Sequence, residues 1–429
     1  MENTIYSPSG NISIRINDDK MSAWMYVHKS DKIIDEQEIL DLIMEAGVTN
    51  GFEEAIQWMA ENGYNKDYEK PFPVAICKAP ASIDIIETHF NRKYSYNPDE
   101  KWNIRDFQNW TLVEKDAILA DIPFEKINAA EAVYNIFGEL TTSVASAETL
   151  TNYLGQNVSL DREGQRIVSD IIGYPYVDKE GKINVVNHLV YKGDIKLSKM
   201  PVTLAAALTV EGSINKANLF IMSDLHVKGG IYNSDIYAEG DMTVEGDIID
   251  CQAAGVVTAE NLKVQNIKNS LVMCRGELSF DNYITGSRVI AEKKITGNPE
   301  KSVIEGSQIM TGGSVEISSA GSVDGAETEI EVTISPFIKE RMNQMNRNLN
   351  KLKENSSANP DKIEQMHKKF VKLEEGFAAE LDKFLNKKDY EPRHIRIYDE
   401  LFKGVYIRIL KKAYQIKQNQ VSAEFVEEI

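Results

Sequence analysis

The chain has 429 residues and a formal net charge of −18, from 66 acidic and 48 basic side chains. A chain of this length can hold roughly two to four domains and a large buried core. The acidic balance argues against nucleic acid as the main partner, because affinity for phosphates depends on clustered Lys and Arg, and it favours basic protein partners.

The sequence predicts a cytoplasmic protein. Its start carries neither a charged leader nor an apolar segment of the kind that directs secretion. No stretch approaches the ~20 consecutive apolar residues of a membrane span. Cys77, Cys251 and Cys274 are too few and too far apart for a disulfide framework or a paired-cysteine metal site. Cys251 and Cys274 are expected to be buried thiols in a reducing compartment.

Mixed α and β elements are predicted for the N-terminal part. Strand-like runs occupy residues 11–16, 22–27 and 72–78. Two short amphipathic helices lie between the second and third runs. The first helix begins after Asp35 and ends at Gly47. Its buried face is formed by Ile39, Leu42, Ile43 and Ala46.

The second of these helices begins near Gly51 and ends at Gly63. Such a pair of helices also occurs in DNA-binding proteins. Glu53 and Glu54 stand where a recognition helix would carry Arg or Asn, so the pattern argues against DNA binding.

A polar, aromatic-rich stretch covers residues 91–110, and a β-rich connector follows at 119–186. Two segments of the connector, LDREGQRIVS and VDKEGKINVV, each indicate a strand, a turn and a second strand. We expect this connector to cap the open apolar end of the domain that follows, since a terminal repeat must hide unpaired strand edges.

A degenerate repeat of about 17 residues runs from roughly 190 to 323. It is clearest in LTVEGSINKANLFIMSD from Leu208 and LHVKGGIYNSDIYAEGD from Leu225. Apolar and polar residues alternate within each unit, which is the period of a half-buried strand. The units drift between about 16 and 20 residues without a six-residue phase. We therefore predict a right-handed parallel β-helix rather than a left-handed hexapeptide helix.

Glycine and Asx residues recur where the repeat turns. We expect the glycines to supply positive φ after short strands; they are Gly212, Gly229, Gly240, Gly246 and Gly276. We expect the Asx side chains at unit ends to bond the local backbone; they are Asp224, Asp241 and Asn261.

The pattern changes to a heptad repeat at Pro336. The first seam consists of Ile338, Met342, Met345, Leu349 and Leu352. After a polar turn, a second seam consists of Ile363, Met366, Phe370, Leu373 and Phe377. The two segments predict an antiparallel coiled-coil hairpin. Strand-like runs begin again at His394, Gly404 and Val421, so the hairpin is inserted into a β-domain and should protrude as an arm.

The predicted fold is mainly β with some α structure. The predicted domains are an N-terminal α+β domain at 1–118, the connector or cap at 119–186, the right-handed β-helix at 187–335, the coiled-coil hairpin at 336–388, and strands at 389–429 that return to the β-domain.

The sequence predicts no catalytic, cofactor-binding or metal-binding residue. It has no phosphate-binding glycine motif, and its 6 histidines are dispersed. The alternative is a β-helix enzyme or binding protein for polysaccharides, with Asp224 and Asp241 stacked as acid and base and Lys228 or Arg275 nearby. The aromatic residues available to it, Tyr232, Tyr237 and Tyr283, do not repeat in phase. Asx residues that recur because the turn recurs explain the pattern more simply.

Partner contacts are predicted on the arm, since a long helical insertion that builds no pocket usually contacts another protein. The candidate contact residues are Lys353, Lys368, Lys369 and Glu375. Self-association into oligomers is compatible with this prediction. Polymerisation through the solenoid ends is disfavoured, because other structure follows both ends.

The order of several motifs resembles the flagellar assembly protein A family. The rungs containing VEG, VKGG and AEGD resemble its β-helix, and FKGVYIRIL its returning strand. Further similar segments are AGVTNGFEEAI from Ala46, DAILADIP from Asp116 and the glycine-punctuated LGQNVSLDREGQRIVSDIIGYPYVDKEGKINV from Leu154. The chain departs from the family pattern at Asn50, Ala117 and Ala129, which puts glycine-dependent surfaces of the N-terminal half in doubt.

The resemblance implies a non-enzymatic scaffold that acts in flagellar assembly or in placement at the cell pole through protein partners. It gives no catalytic residues to carry over. The family's β-helix is similar to those of septum-site and bactofilin proteins, which self-associate.

Overall fold

The computed structural model describes residues 4–28, 36–52, 71–77, 86–121, 133–142, 153–161, 166–196, 200–258, 260–354, 360–386 and 392–427. The chain divides into two compact units. The first comprises Met1–Arg92, Lys115–Asp170 and Lys179–Asn184, and the second comprises Lys93–Glu114, Ile171–Asp178 and Val185–Ile429. The predicted domain boundaries stay predictions.

The first unit contains a four-stranded antiparallel sheet in sequence order. Its strands are β1 (Thr4–Tyr6), β2 (Ile12–Ile16), β3 (Ser22–Val27) and β4 (Phe72–Ile76). Helix α1 (Glu36–Glu45) contacts this sheet. The four apolar residues predicted for its inner face are buried, and Gly47 follows with a φ of +74°, as a helix C-terminus requires. The second predicted helix lies almost entirely outside the described residues.

A second sheet of the first unit has the order β5, β6, β10, β9. These strands are β5 (Glu87–Thr88), β6 (Ile118–Asp121), β9 (Val158–Leu160) and β10 (Arg166–Ser169), while β7 (Val133–Tyr134) and β8 (Leu140–Thr142) form a separate pair. The antiparallel pairing of β9 with β10 agrees with the two strands predicted for LDREGQRIVS, while the predicted turn lies outside the described residues.

The second unit is a β-solenoid of about seven turns. Strands β11 (Tyr174–Val177) and β12 (Ile183–Val186) precede it. Its turns are built from three faces, and equivalent strands of successive turns pair in parallel. The parallel β-solenoid predicted from the repeat is thus confirmed, while its right-handed sense stays a prediction.

The first face contains β13 (His188–Tyr191), β16 (Ala207–Val210), β19 (Leu225–Val227), β22 (Met242–Ile249), β24 (Leu262–Lys268), β26 (Leu278–Thr285), β28 (Ile295–Gly297) and β31 (Val315–Ile317). The second face contains β14 (Ile195–Lys196), β17 (Ile214–Asn215), β20 (Ile231–Tyr232), the ends of β22, β24 and β26, β29 (Val303–Glu305) and β32 (Ser319–Ala320).

The third face contains β15 (Val202–Leu204), β18 (Asn218–Ile221), β21 (Asp235–Ala238), β23 (Val256–Thr258), β25 (Leu271–Cys274), β27 (Arg288–Ala291), β30 (Gln308–Thr311) and β33 (Glu329–Val332). Side chains that point inward from all three faces form one continuous apolar core.

Two helices interrupt the solenoid after β33. They are α2 (Pro336–Glu354) and α3 (Pro360–Leu385), and they contact each other. We call α2 and α3 together the arm. The helices begin and end where the heptad pattern predicts them, whereas their arrangement as an antiparallel coiled coil stays a prediction.

The solenoid resumes after the arm. Strand β34 (His394–Leu401) pairs in parallel with β31, and β35 (Tyr406–Ile409) pairs in parallel with β33. Strands β36 (Lys412–Gln415) and β37 (Gln420–Val426) then pair antiparallel with β35 and β34. This change of direction ends the stack of parallel strands.

Aromatic side chains cover the first turn of the solenoid. Tyr96, Phe107 and Tyr174 belong to the same buried core as the inward residues of the first turns. The free edge of β13 is also bonded by side chains: the Val190 N–H donates to the Tyr96 hydroxyl at 2.8 Å, and the Trp102 indole N–H donates to the Val190 carbonyl at 2.7 Å. These bonds satisfy the Val190 N–H and carbonyl of an edge strand that would otherwise be open to pairing with another strand.

The repeating glycines lie where one turn of the chain approaches the next. None of the five predicted positions has a positive φ, so that expectation is wrong. A Cβ on Gly246 would lie 2.8 Å from the carbonyl oxygen of Gly229, and one on Gly229 would lie 2.7 Å from that of Gly212. Close packing of the backbone, rather than left-handed conformation, therefore requires glycine at the corner between the first and second faces.

Residues with a left-handed backbone conformation (positive φ) occupy the next corner, between the second and third faces. Asn233, Asp250 and Asn269 have φ values of +47°, +58° and +47°, and the next two turns carry glycine there. A small buried residue follows each of them. The Cys251 N–H donates to Ser270 Oγ and the Ser270 N–H to Ser287 Oγ, both at 3.1 Å. These side chains satisfy backbone groups inside the core.

Gly246→Ala should destabilise the protein by about 1–3 kcal/mol, because the added methyl group must displace the backbone of the preceding turn. Gly376→Ala provides the control, since a Cβ there meets nothing within 4 Å. It should stabilise the arm by up to about 1 kcal/mol, as replacement of glycine within a helix does. Urea unfolding of both variants tests the comparison, and equal effects would contradict it.

Candidate interaction site

The four predicted contact residues lie on the arm. Lys353 is exposed at the end of α2, while Lys368, Lys369 and Glu375 are exposed along α3. Lys368 forms an ion pair with Glu364 at 2.7 Å, one helical turn away. Such exposed pairs contribute little to stability. The role of these residues in partner binding stays a prediction.

A buried carboxylate fixes the base of the arm to the solenoid. Glu340 of α2 is only 4% exposed. Its Oε1 accepts hydrogen bonds from Arg288 of β27 at 3.2 Å and from Arg347 of α2 at 2.7 Å. Removing one partner of a buried ion pair leaves an uncompensated charge. The first half of α2 is therefore held against the third face and does not project freely.

The end of α3 is also attached to the strands that follow it. Asp382 forms an ion pair with Lys411 at 2.9 Å. The Arg393 guanidinium lies 4.2 Å from the centre of the Phe384 ring, a distance typical of a cation–π contact. Both ends of the insertion thus contact the solenoid.

A polar cavity of about 330 Å³ lies between α2 and the third face. Charged groups line it, including Arg288, Arg347, Arg408, Lys339, Glu329, Glu331 and Glu340. Burial raises the pKa of the Glu331 carboxyl, and the nearby Lys339 and Arg408 only partly oppose that effect. Two ion pairs, Arg288 with Glu340 and Lys339 with Glu331, connect the sheet to the helix across this cavity.

Apolar side chains point outward from the third face at six consecutive turns. We call this row the outer ladder: Phe220, Tyr237, Val257, Met273, Ile290 and Met310. Ile290 and Met310 are 0% and 8% exposed and lie where α2 crosses the sheet, whereas Phe220 is 42% exposed. Part of the ladder is therefore covered by the arm and part is open.

A carboxylate on the first face links the turns before and after the arm. Glu316 of β31 receives a hydrogen bond from Lys294 at 2.9 Å and lies 3.0 Å from His394 Nε2 of β34. Burial alone would raise the pKa of Glu316. The hydrogen bonds from Lys294 and His394 outweigh burial and hold the pKa below its ordinary value.

The carboxylates considered for polysaccharide chemistry have a structural role. Asp224 Oδ1 accepts the Asp241 backbone N–H at 2.8 Å, and Asp241 Oδ1 accepts the Asn261 backbone N–H at 3.0 Å. The cationic residues expected near them are engaged elsewhere: Lys228 pairs with Glu211, and Arg275 lies over the ring of Phe337. The Asx residues at unit ends thus bond the backbone of the next turn, 17 to 20 residues away, and not the local backbone as the sequence had suggested.

The cysteines occupy different positions of the solenoid turn. Cys251 lies at the corner between the second and third faces, whereas Cys274 lies within β25. All three cysteines are free and buried, and burial raises the pKa of Cys251 and Cys274 to about 11. A thiol held in its protonated form is a poor nucleophile.

Among the described residues, no cluster of His, Cys, Asp and Glu could hold a metal ion. Over the same ranges, no helix has the length and apolar character that crossing a membrane requires.

Two family models together match nearly all of the chain. The model of the flagellar assembly protein A N-terminal region matches residues 12–180, and that of the flagellar assembly protein A beta solenoid domain matches residues 187–429. The chain belongs to this family. No curated protein and no solved structure matches it. Membership of the flagellar assembly protein A family confirms the resemblance seen in the motifs.

The outer ladder was missed in the sequence, although a signal for it exists. The third-face strands read NLFI, DIYA, LVMC and RVIA. Strict alternation predicts a polar residue at the third position of each strand, yet that position is apolar. Apolar residues on both sides of a strand indicate that both surfaces of the sheet are covered or available for packing.

Glu340→Ala should loosen the arm at its base, because it leaves Arg288 and Arg347 without their shared carboxylate. We expect a cost of about 1–3 kcal/mol, reduced by the partial exposure of both arginines. Hydrogen exchange across residues 337–353 should then become faster. Glu354→Ala, at the exposed end of α2, is the control and should leave exchange unchanged. Unchanged protection in both variants would contradict the anchoring role.

Glu316→Gln should make the free energy of unfolding fall less steeply as the pH is lowered into the acid range. Because the pKa of Glu316 in the folded chain lies below 4.5, its ionised form stabilises the fold. That stabilisation is present above pH 4.5 and is lost as the pH falls through the folded-state value. Urea unfolding between about pH 3 and 7 measures the effect. An acid limb as steep as that of the unchanged protein would refute it.

Proposed function

We propose that this chain is a non-enzymatic scaffold in flagellar assembly, which acts in the cytoplasm at the cell pole and contacts protein partners through its arm. Family membership supports the flagellar role. The observation that carries the scaffold mechanism is the anchoring of the arm: the buried Glu340 and the contact of Arg393 with Phe384 attach its base, while the lysines farther along the helices are exposed.

The arm forms an antiparallel coiled-coil hairpin in this proposal. Residues 355–359 join α2 to α3, so a short connection favours antiparallel neighbours. The Lys339 ammonium near the start of α2 lies 5.7 Å from the centre of the Phe377 ring near the end of α3, which agrees with that direction. Met342 and Leu349, two heptad positions of α2, are buried.

The contact residues Lys353, Lys368 and Lys369 fit carboxylates on the partner, and Glu375 fits a basic group beside them. A second copy of the chain has the required acidity, since its formal net charge is −18. Self-association through the arm is therefore included in the proposal.

Charge reversal on the arm tests this role. The triple variant Lys353→Glu, Lys368→Glu and Lys369→Glu should lose its flagellar or polar partners in co-purification from the native cell, because like charges repel at the contact. The control is Lys263→Glu, Lys293→Glu and Lys301→Glu, three exposed solenoid lysines. It makes the same change in net charge and should retain the partners.

If the same partners co-purify with the charge-reversed triple variant and with a variant that lacks residues 337–388, binding lies on other surfaces of the scaffold. Recovery of no partner by the intact chain would count against the scaffold mechanism itself.

A further inference from the structure

The open part of the outer ladder is a continuous apolar strip. It consists of Phe220, Tyr237, Val257 and Met273 on four successive strands, and the rings of Phe220 and Tyr237 stack with centres 4.2 Å apart. Met222, 48% exposed, lies beside it. Phe220 is exposed, and Tyr237, Val257 and Met273 are partly exposed. Apolar groups that line up on a surface in this way are typical of binding sites.

The same ladder already accepts a helix within this chain. Met273 pairs with Ile290, which pairs with Met310, and α2 covers those last two positions. The open strip is thus continuous with a surface whose partner is known to be a helix. A helix packs on a sheet by burying one apolar stripe.

The spacing of the strip suits a helix that lies along the solenoid. Strands in a sheet are about 4.8 Å apart, and one turn of an α-helix rises about 5.4 Å. One apolar side chain per helical turn can therefore meet one strand of the ladder. Four strands match a helix of roughly 10–12 residues.

The charge beside the ladder differs between its covered and open parts. Under α2, Arg288 borders the ladder and receives the carboxylate of Glu340. Beside the open strip stand the exposed Glu239 and Glu260 and Asp235, whose Oδ1 accepts the backbone N–H groups of Ala254 and Gly255. Arg275, at the Met273 end of the strip, lies over the Phe337 ring of α2. A helix that fits the open strip would supply Lys or Arg there, as α2 supplies Glu340 to Arg288.

We propose that the strip of Phe220, Tyr237, Val257 and Met273 is a docking site for a basic amphipathic helix of a protein partner. The proposal rests on the scaffold function only in assuming that the chain binds other proteins. It assigns a surface on the third face that is separate from the exposed lysines of the arm, so the two contacts can be tested independently.

The test uses the full chain and a labelled synthetic helix of about 15 residues with one leucine stripe and lysine flanks. Fluorescence anisotropy should show binding, and the same helix with glutamate flanks should bind more than about tenfold more weakly. Phe220→Ser with Tyr237→Ser should also weaken binding of the lysine helix more than about tenfold, because the two stacked aromatic contacts are lost.

The matched control is Tyr232→Ser with Ile249→Ser, a pair of partly exposed apolar residues on adjacent turns of the second face. This variant and the arm triple variant should bind the lysine helix as the unchanged protein does. Equal loss in the control, or no discrimination between lysine and glutamate helices, would overturn the proposal.

A second measurement locates the bound helix. Since the three native cysteines are buried, Val257→Cys can carry an environment-sensitive fluorophore at one position, and its emission should shift when the lysine helix is added. An unchanged emission overturns the proposed location. Sedimentation of the chain without the synthetic helix is the last measurement. If the unchanged protein is a dimer and the Phe220→Ser with Tyr237→Ser variant is a monomer, the strip binds a second copy of the chain, and the choice of partner is overturned.

Discussion

The rest of the structure depends on the close stacking of each solenoid turn on the one before it. Parallel strands hold the turns about 4.8 Å apart, so each corner must repeat the same backbone path. One corner uses glycines packed on backbone, and another uses left-handed residues followed by small buried side chains. The third combines Asx side chains bonded to the next turn with the closely packed glycines Gly240 and Gly276.

This constraint also explains where function can reside. Carboxylates at the corners are bonded to the backbone, and inward side chains fill the core, so neither set is available to a ligand. The outward position of each strand and the segment inserted between turns are not bound by this constraint. The outer ladder and the arm occupy these two places.

Periodicity predicted the fold well because it reports burial directly. The alternation of Leu225 and Val227 gave the strands, and the spacing of Met342 and Leu349 gave the helices. The corner geometry could not be predicted from the sequence. Glycine is used both where two backbone segments approach closely and where φ is positive, and only the position of the neighbouring turn shows which of the two roles a given glycine has. The aromatic covering of the first turn was missed for another reason: Tyr96 and Trp102 belong to a stretch without periodicity, and they bond a strand about 90 residues away in sequence.

The position of the arm between β33 and β34 couples its folding to the last turn of the solenoid. In the antiparallel arrangement proposed for the arm, the folded helices bring the ends of the insertion together and hold them near their pairing strands. If the arm melted, the same residues would become a long flexible loop, and closing such a loop has an entropic cost. Strand β34 would then dissociate from β31 more often. The folded arm thus stabilises the pairing of the C-terminal turn, and a partner that stabilises the helices would also make local opening of this turn less frequent.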